Sequence, residues 1–115
     1  MIDQIRPLEL AHWMSRQHQP GGKQAVVLDV REPAELRTAS VKADGFTLLA
    51  MPMGSVPVRL AELDPETPIA CLCHHGGRSM QVASFLHSRG FSRVANIAGG
   101  INAWANELDT SVPRY

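Results

Sequence analysis

The sequence predicts an α/β protein in which a central parallel β-sheet is flanked by helices on both faces. Short apolar runs rich in β-branched residues alternate along the chain with segments that repeat apolar residues at helical spacing. This order of strand, loop and helix is typical of parallel sheets covered by helices. The chain has 115 residues and shows no internal repeat and no linker. We therefore expect one domain over residues 1–115.

The first half of the chain is predicted to contain a helix and a buried strand. Residues 6–18 form the helix, since Pro7 suits a first turn and the glycine-containing stretch after position 18 ends it. Residues 25–30 (AVVLDV) are apolar and β-branched, which indicates a buried strand. Residues 31–45 are interpreted as irregular, with a helical turn at 33–36.

The second half of the chain alternates strands and helices. Strands are predicted at 46–52, 68–73 and 93–98, and helices at 55–64, 78–90 and 101–108. In open parallel sheets, ligands bind at the carboxyl ends of the strands, close to the N-termini of the following helices. Cys73 lies at such a strand end, so the loop that follows it is the first candidate for a functional site.

Composition and charge exclude several classes of function. Lys plus Arg and Asp plus Glu both number 11, so the formal net charge is zero at pH 7. This balance predicts no polybasic face for a nucleic acid or an anionic membrane. The first ten residues lack the basic start and apolar core of a secretory signal, and no apolar stretch approaches the roughly 20 residues that span a bilayer. We expect a cytoplasmic protein that binds neither nucleic acid nor membrane.

The two cysteines, Cys71 and Cys73, are separated by one residue. A strand holds such neighbours in a geometry that is unsuitable for a disulfide, and reduced thiols suit an intracellular protein. Cys71 shares a strand face with Cys73 but lies one step further into the sheet, so we expect it in the core. Cys73 is the candidate nucleophile.

The loop after Cys73 contains features that stabilise negative charge on sulfur. Gly76 and Gly77 permit a tight turn that points successive backbone N–H groups at one position. A helix begins near Arg78 or Ser79, and the positive end of its dipole favours an anion. The Arg78 guanidinium adds a permanent cation. Because the thiolate is the reactive form of cysteine, this arrangement predicts a nucleophilic Cys73 rather than an inert buried thiol.

Four segments together resemble the rhodanese-like single-domain sulfurtransferases. Residues 73–79 (CHHGGRS) look like the active-site loop of that family, and residues 28–36 (LDVREPAEL) resemble its Asp-Val-Arg-Glu motif after an early strand. Residues 90–104 (GFSRVANIAGGINAW) resemble its last strand, glycine pair and Trp-bearing helix, and residues 112–115 (VPRY) are similar to its end. The segments stand in the family's order and cover nearly the whole chain. The resemblance therefore implies the rhodanese-like fold.

The resemblance also implies a sulfurtransferase that acts through a persulfide. Cys73 would attack the outer sulfur of a donor such as thiosulfate, and a thiophilic acceptor would then remove that sulfur. The acceptor would be cyanide in an assay and a thiol or a protein in a cell. No cofactor or metal is expected. The groups that would bind the donor are the loop backbone N–H groups and one cation, from His74, His75, Gly76, Gly77, Arg78 and Ser79.

A supporting set of charged residues is expected beneath the loop. On the family's pattern, Arg78 helps to orient the loop and pairs with a carboxylate from the segment that contains Asp29, Arg31 and Glu35; we choose Glu35 as its partner. Surface ion pairs contribute little to stability. The resemblance instead favours a buried network for these residues.

Three alternative functions stay open. Phosphatases of the same fold have one residue more between the cysteine and the arginine, which widens the loop for phosphate; the shorter spacing from Cys73 to Arg78 disfavours a phosphatase or an arsenate reductase. A sulfur carrier without turnover, or a module that docks a partner enzyme, would keep the same residues. A zinc site built from Cys71, Cys73, His74 and His75 is disfavoured, because structural zinc sites pair ligands that are far apart in sequence.

Some features are left open by the sequence. His74 and His75 suit acid–base chemistry, but sulfur transfer hardly needs it. We favour for His75 a role in shaping the mouth of the pocket, and we give His74 or His75 a modest role that faces the substrate. Residues 37–47 lack the His-containing turn that is usual in the family, so their conformation and their effect on substrate choice are open. The neutral domain fits either a monomer or a weak homodimer.

Overall fold

The computed structural model describes residues 2–115 and has a five-stranded parallel sheet at its centre. Its strands are β1 (Asp3–Ile5), β2 (Val26–Asp29), β3 (Thr47–Ala50), β4 (Ile69–Leu72) and β5 (Val94–Ile97). The helices are α1 (Leu10–Gln17), α2 (Pro33–Thr38), α3 (Gly77–Ser88) and α4 (Gly100–Glu107). This architecture confirms the predicted fold class.

The order of the strands places β4 in the middle of the sheet. Across the sheet the order is β1-β5-β4-β2-β3, and all neighbouring strands are parallel. In register, Cys71 of β4 lies beside Leu28 of β2 on one side and Asn96 of β5 on the other. Because parallel strands end at the same edge, the residues that follow β2, β4 and β5 meet around Cys73.

Alternation along the strands builds two apolar layers, one on each face of the sheet. Three of the four helices cover these layers: residues of α1 and α4 belong to the first, and residues of α3 to the second. The first layer includes Val27, Ala70, Leu72, Ile97, Trp13 and Trp104. The second includes Val26, Leu28, Cys71, Cys73, Val82 and Leu86. Cys71 and Cys73 therefore share a face, as expected.

Most of the predicted elements are confirmed, and two differences have a clear physical reason. The helix predicted at 55–64 is wrong: the segment instead contains short 3-10 turns at Met53–Ser55 and Leu60–Glu62. Pro57 provides no N–H for a helix. Val56 and Leu63 are buried whereas Val58 is 88% exposed, so short turns bury the apolar residues of this segment without a continuous helix. The short edge strand β1 was not predicted, because pairing with β5 rather than its own pattern makes it a strand.

The N-terminal and second helical segments also differ in detail from the prediction. The segment predicted as one helix over 6–18 is a 3-10 turn at Pro7–Glu9 followed by α1. The helical turn predicted at 33–36 is the longer helix α2. Gly90 follows the end of α3 with φ of +94°, in the left-handed conformation expected for the residue after a helix. Within residues 2–115, none of the helices has the length and hydrophobicity to cross a membrane.

Candidate active site

The Cys73 thiol lies directly after β4, at the bottom of a loop that leads into α3. Its side chain belongs to the apolar layer under α3, and the residue is only 1% exposed. The central strand, which is buried at all four positions, places the sulfur at the carboxyl edge of the sheet. The position is the one that the sequence predicted for a nucleophile.

Hydrogen bonds from the loop favour the thiolate form of Cys73. Burial by itself raises the pKa of a thiol. Here the Ser79 hydroxyl and the backbone N–H groups of Ser79, Gly76 and His75 outweigh burial and lower the pKa of Cys73. The Gly76 N–H, for example, donates to Cys73 Sγ at 3.1 Å. These groups can stabilise an anion at the sulfur. They form the turn of inward-pointing N–H groups that was expected from Gly76 and Gly77, and we call this arrangement the cradle.

Cys71 has the opposite environment. It is completely buried in β4, and burial together with the neighbouring Cys73 raises the pKa of its thiol to about 12. It remains a neutral thiol at physiological pH and packs with the apolar layer. Only Cys73 of the two combines a lowered pKa with donors aimed at the sulfur.

The N-terminus of α4 holds the first two peptide groups of the loop. The N–H of Ile101 donates to the Cys73 carbonyl at 2.8 Å, and the N–H of Asn102 donates to the His74 carbonyl at 3.1 Å. Gly100 has φ of +59°, and a Cβ added there would lie 2.4 Å from both of those carbonyl oxygens. The close approach of α4 to the loop therefore requires glycine at this position. With both carbonyls turned toward α4, the following N–H groups are free to face the sulfur.

Arg78 pairs with the carboxylate chosen for it from the sequence. Its two terminal nitrogens donate to the two oxygens of Glu35, at 2.6 Å and 2.8 Å. Glu35 also accepts hydrogen bonds from the backbone N–H of Glu32 at 3.1 Å and from the hydroxyl of Tyr115 at 2.8 Å. Chiefly because of the Arg78 hydrogen bonds, the pKa of Glu35 falls from 4.5 to about 2. Arg78 thus ties the start of α3 to α2.

Asp29 and Arg31 form a second ion pair that is buried. Arg31 is fully buried and Asp29 is 2% exposed. The Arg31 Nε and Nη2 atoms donate to the two carboxylate oxygens of Asp29 at 2.9 Å and 2.7 Å. The remaining terminal nitrogen of Arg31 donates to the Glu35 carbonyl at 3.3 Å and to the Tyr115 hydroxyl at 3.1 Å. Both carboxylates of the predicted set are therefore connected through Arg31 and Tyr115.

His74 lies between two aromatic rings at the edge of the loop. Its ring centroid is 3.9 Å from that of His75 and 3.9 Å from that of Tyr115, and the planes of His74 and Tyr115 differ by 7°. Burial, followed by the proximity of His75, lowers the pKa of His74 and favours the neutral ring. His75 is exposed. Among the described residues, nothing hydrogen-bonds the buried Nε2 of His74.

The structure brings all of the predicted site residues to one edge of the sheet, and it adds three that sequence reasoning missed. Asn96 accepts a hydrogen bond from Ser79 at 2.5 Å, Gly100 admits the loop carbonyls, and Tyr115 contacts both His74 and Glu35. A signal existed for Asn96, since it is the polar residue within the apolar strand VANI. Gly100 and Tyr115 were visible only as parts of segments that resemble the family. No cluster of three or more potential metal ligands occurs within residues 2–115.

The geometry and the comparisons with known proteins define the same class. A family model described as the rhodanese-like domain matches residues 10–107. The chain therefore belongs to the rhodanese-like domain family. Members of this family that resemble the chain include proteins named for sulfur transfer.

Three relatives illustrate the similarity. A sulfurtransferase from Allochromatium vinosum is 34% identical over 80 residues, which are 70% of this chain and 71% of that protein. The chloroplastic rhodanese-like/PpiC domain-containing protein 12 of Arabidopsis thaliana is 43% identical over 94 residues, 80% of this chain but only 31% of that protein. The solution structure of the polysulfide-sulfur transferase homodimer from Wolinella succinogenes has 29% identity and a TM-score of 0.68, and the alignment covers 92% of this chain and 74% of that chain.

Proposed function

We propose that this chain transfers sulfane sulfur from a small anionic donor such as thiosulfate to a thiophilic acceptor, through a persulfide on Cys73. The observation that carries the proposal is the set of backbone N–H groups and the Ser79 hydroxyl around the Cys73 sulfur, which lower the pKa of its thiol. The similarity to proteins named sulfurtransferase supports the same chemistry.

The reaction has two steps that share one covalent intermediate. In the first step the Cys73 thiolate attacks the outer sulfur of thiosulfate, a new S–S bond forms at Sγ, and the S–S bond of thiosulfate breaks, so that sulfite leaves with the electron pair. In the second step the acceptor attacks the terminal sulfur of the persulfide, and the Cys73 thiolate leaves. With cyanide as acceptor the product is thiocyanate. The loop N–H groups stabilise negative charge at the sulfur in both steps.

Arg78 is already paired with a carboxylate at the edge of the loop. Both terminal nitrogens of Arg78 donate to Glu35, so the positive charge of the guanidinium is balanced by a carboxylate. We therefore assign Arg78 the role of orienting the loop. The backbone N–H groups of residues 74–79 are assigned the role of binding the donor.

The acceptor in a cell is proposed to be a thiol or a protein that carries a thiol. Among the sulfur-transfer relatives, the protein from Wolinella succinogenes is a homodimer, and this chain is proposed to be a monomer or a weak homodimer. A cytoplasmic location is proposed from the sequence, although one relative is named as chloroplastic.

Intact mass measured after treatment with thiosulfate tests the proposal. Wild type should gain the mass of one sulfur atom and lose it on addition of cyanide, with release of thiocyanate. Cys73→Ser should gain nothing, whereas the matched control Cys71→Ala should behave as wild type because Cys71 remains neutral in the core. Wild type that gains no sulfur would contradict the proposal for thiosulfate, and sulfur gained by Cys73→Ser would contradict the assignment of the nucleophile.

A turnover assay with the same two small molecules separates an enzyme from a sulfur carrier. An enzyme should release many equivalents of thiocyanate per chain when thiosulfate and cyanide are both in excess. A carrier would take up one sulfur but would not turn over with small molecules. A small aryl phosphate tests the phosphatase alternative, and we expect wild type not to hydrolyse it. Hydrolysis by wild type but not by Cys73→Ser would favour a phosphatase.

A further inference from the structure

Two polar side chains are buried behind Cys73, where the protein is otherwise apolar. Ser79 is fully buried in the first turn of α3, and Asn96 is 3% exposed in β5. Ser79 Oγ lies 3.2 Å from Cys73 Sγ and 2.5 Å from Asn96 Oδ1. The amide nitrogen of Asn96 donates to the Gly76 carbonyl at 3.2 Å and to Gln4 Oε1 at 3.0 Å, which determines that the amide oxygen is the atom that faces Ser79.

The Ser79 hydroxyl has one hydrogen and two neighbours that can accept it. In the thiol form of the site, the S–H group of Cys73 donates to Ser79 Oγ, and the hydroxyl donates to Asn96 Oδ1. A thiolate can only accept, so it obtains the Ser79 hydrogen only when the hydroxyl turns away from Asn96. The buried amide oxygen of Asn96 then loses its partner, and leaving a buried acceptor unpaired has a free-energy cost. The thiolate of Cys73 and the amide of Asn96 therefore compete for one hydrogen.

We propose that Asn96 is a positioning residue that holds the Ser79 hydroxyl hydrogen and thereby limits how readily Cys73 gives up its proton. The backbone N–H groups of the loop stabilise the thiolate, and Asn96 opposes them through Ser79. A consequence follows for reactivity, because the nucleophilicity of a thiolate decreases as its pKa decreases. By moderating the ionisation of Cys73, Asn96 keeps the sulfur a stronger nucleophile than the loop alone would allow.

The inference concerns the same site as the proposed sulfur transfer, and its importance for turnover rests on that function. The ionisation of Cys73 can nevertheless be measured with no sulfur donor present. A wild type that takes up no sulfur would refute the proposed function without affecting the inference. Conversely, normal sulfur transfer would not rescue the inference if the titrations described below failed.

Other charged and titratable groups adjoin the loop from the elements packed against it. They are Cys71 on β4, His74 and His75 in the loop, Arg78 on α3, Glu35 on α2, the Asp29–Arg31 pair after β2, Arg6 beside the start of α4, and Tyr115. All of them are retained in the variants that test the proposal. A difference between variants therefore reports on Ser79 and Asn96.

Titration of the ultraviolet absorbance of the thiolate tests the inference, with each variant compared with the same protein carrying Cys73→Ser. This subtraction removes the contributions of Tyr115 and Cys71, and it needs no reagent to reach the buried sulfur. Asn96→Leu removes the competing acceptor, and we expect the midpoint to fall by about half a pH unit to one pH unit, the effect of one net hydrogen bond. Ser79→Ala removes the donor to the thiolate and should raise the midpoint.

The double variant Asn96→Leu with Ser79→Ala distinguishes positioning from a general structural role. Because Asn96 acts through Ser79, the shift caused by Asn96→Leu should almost disappear in the Ser79→Ala background. Gln4→Ala is the matched control: it removes a partner of Asn96 that does not contact Ser79, and it should leave the midpoint unchanged. An unchanged or raised midpoint in Asn96→Leu, or an undiminished shift in the double variant, would overturn the proposal.

A second variant keeps the inference testable if Asn96→Leu does not fold, as judged by circular dichroism. Asn96→Asp is nearly the same shape, and its carboxylate holds the Ser79 hydrogen more strongly and adds negative charge beside the thiol. Its midpoint should lie above that of wild type. A midpoint equal to or below that of wild type would overturn the proposal.

Discussion

The substitution Gly100→Ala tests whether the contact between α4 and the loop positions Cys73. A Cβ at this position would lie 2.4 Å from the carbonyl oxygens of Cys73 and His74 and 2.5 Å from the carbonyl carbon of His74. Carbon atoms do not approach backbone closer than 3.0 Å, so the loop and α4 must separate by more than half an ångström. The hydrogen bond from Ile101 to the Cys73 carbonyl, 2.8 Å in the structure, would then weaken or break.

The expected magnitudes follow from this geometry. Alanine at φ of +59° costs about 1–2 kcal/mol because the left-handed conformation is unfavourable for a residue with a Cβ. Overpacking against rigid backbone adds about 1–3 kcal/mol. We therefore expect the free energy of unfolding to fall by about 2–5 kcal/mol in total. Displacement of a catalytic group by about 1 Å can reduce a rate about 100-fold, so the rate of sulfur transfer should fall by about 10- to 100-fold.

Gly45→Ala is the matched control for this prediction. Gly45 also has positive φ, +77°, but no atom lies within 4 Å of the Cβ position, and the residue belongs to the loop before β3. It should lose only the conformational term of about 1–2 kcal/mol and transfer sulfur at the wild-type rate. Urea unfolding and the initial rate of thiocyanate formation measure both quantities. If Gly100→Ala were as stable as Gly45→Ala and equally active, the argument that α4 positions the loop would be refuted.

Three further predictions concern the ion pairs beside the loop. The folded pKa of Glu35, about 2, lies below its usual value of 4.5, so the stabilisation by its carboxylate is complete above pH 4.5 and is lost as the pH falls toward 2. Between pH 4.5 and pH 2, the free energy of unfolding should therefore fall more in wild type than in Glu35→Gln. Equal losses in the two proteins would contradict the assignment. Arg78→Lys keeps the charge but loses the two-fold hydrogen bonding to Glu35, so urea unfolding should show a loss of about 1 kcal/mol and sulfur transfer should slow, whereas wild-type behaviour would show that charge alone suffices. Tyr115→Phe loses the hydroxyl contacts to Glu35 and Arg31 but keeps the ring over His74, so urea unfolding should show a loss of about 1 kcal/mol. Tyr115→Ala also loses the ring and should be less stable still. Equal stabilities of the two variants would exclude a contribution from stacking.

Local pattern was sufficient to predict most of the fold and to single out Cys73 as the candidate nucleophile. The run IACL was recognisable as a buried strand from its apolar residues, and the glycines, arginine and serine after Cys73 indicated a strand-to-helix turn that favours an anion. The helix predicted at 55–64 failed because apolar spacing alone does not distinguish a continuous helix from short 3-10 turns that bury apolar residues such as Val56 and Leu63. Strand β1 has only three residues, and its pairing with β5 lies outside any local signal.

The partners of Cys73 that come from distant parts of the chain required the tertiary structure. The residue types and spacing within 73–79 follow from covalent neighbourhood, so the sequence predicts which groups can point at the sulfur. The contacts of Asn96 with Ser79, of Gly100 with the loop carbonyls, and of Tyr115 with His74 depend on the strand order β1-β5-β4-β2-β3 and on where α4 and the C-terminal segment pack. Strand order results from burial summed over the whole sheet, and no single segment encodes it. The candidate nucleophile can therefore be recognised in one short stretch of sequence, whereas the distant groups that surround it are brought together only by folding.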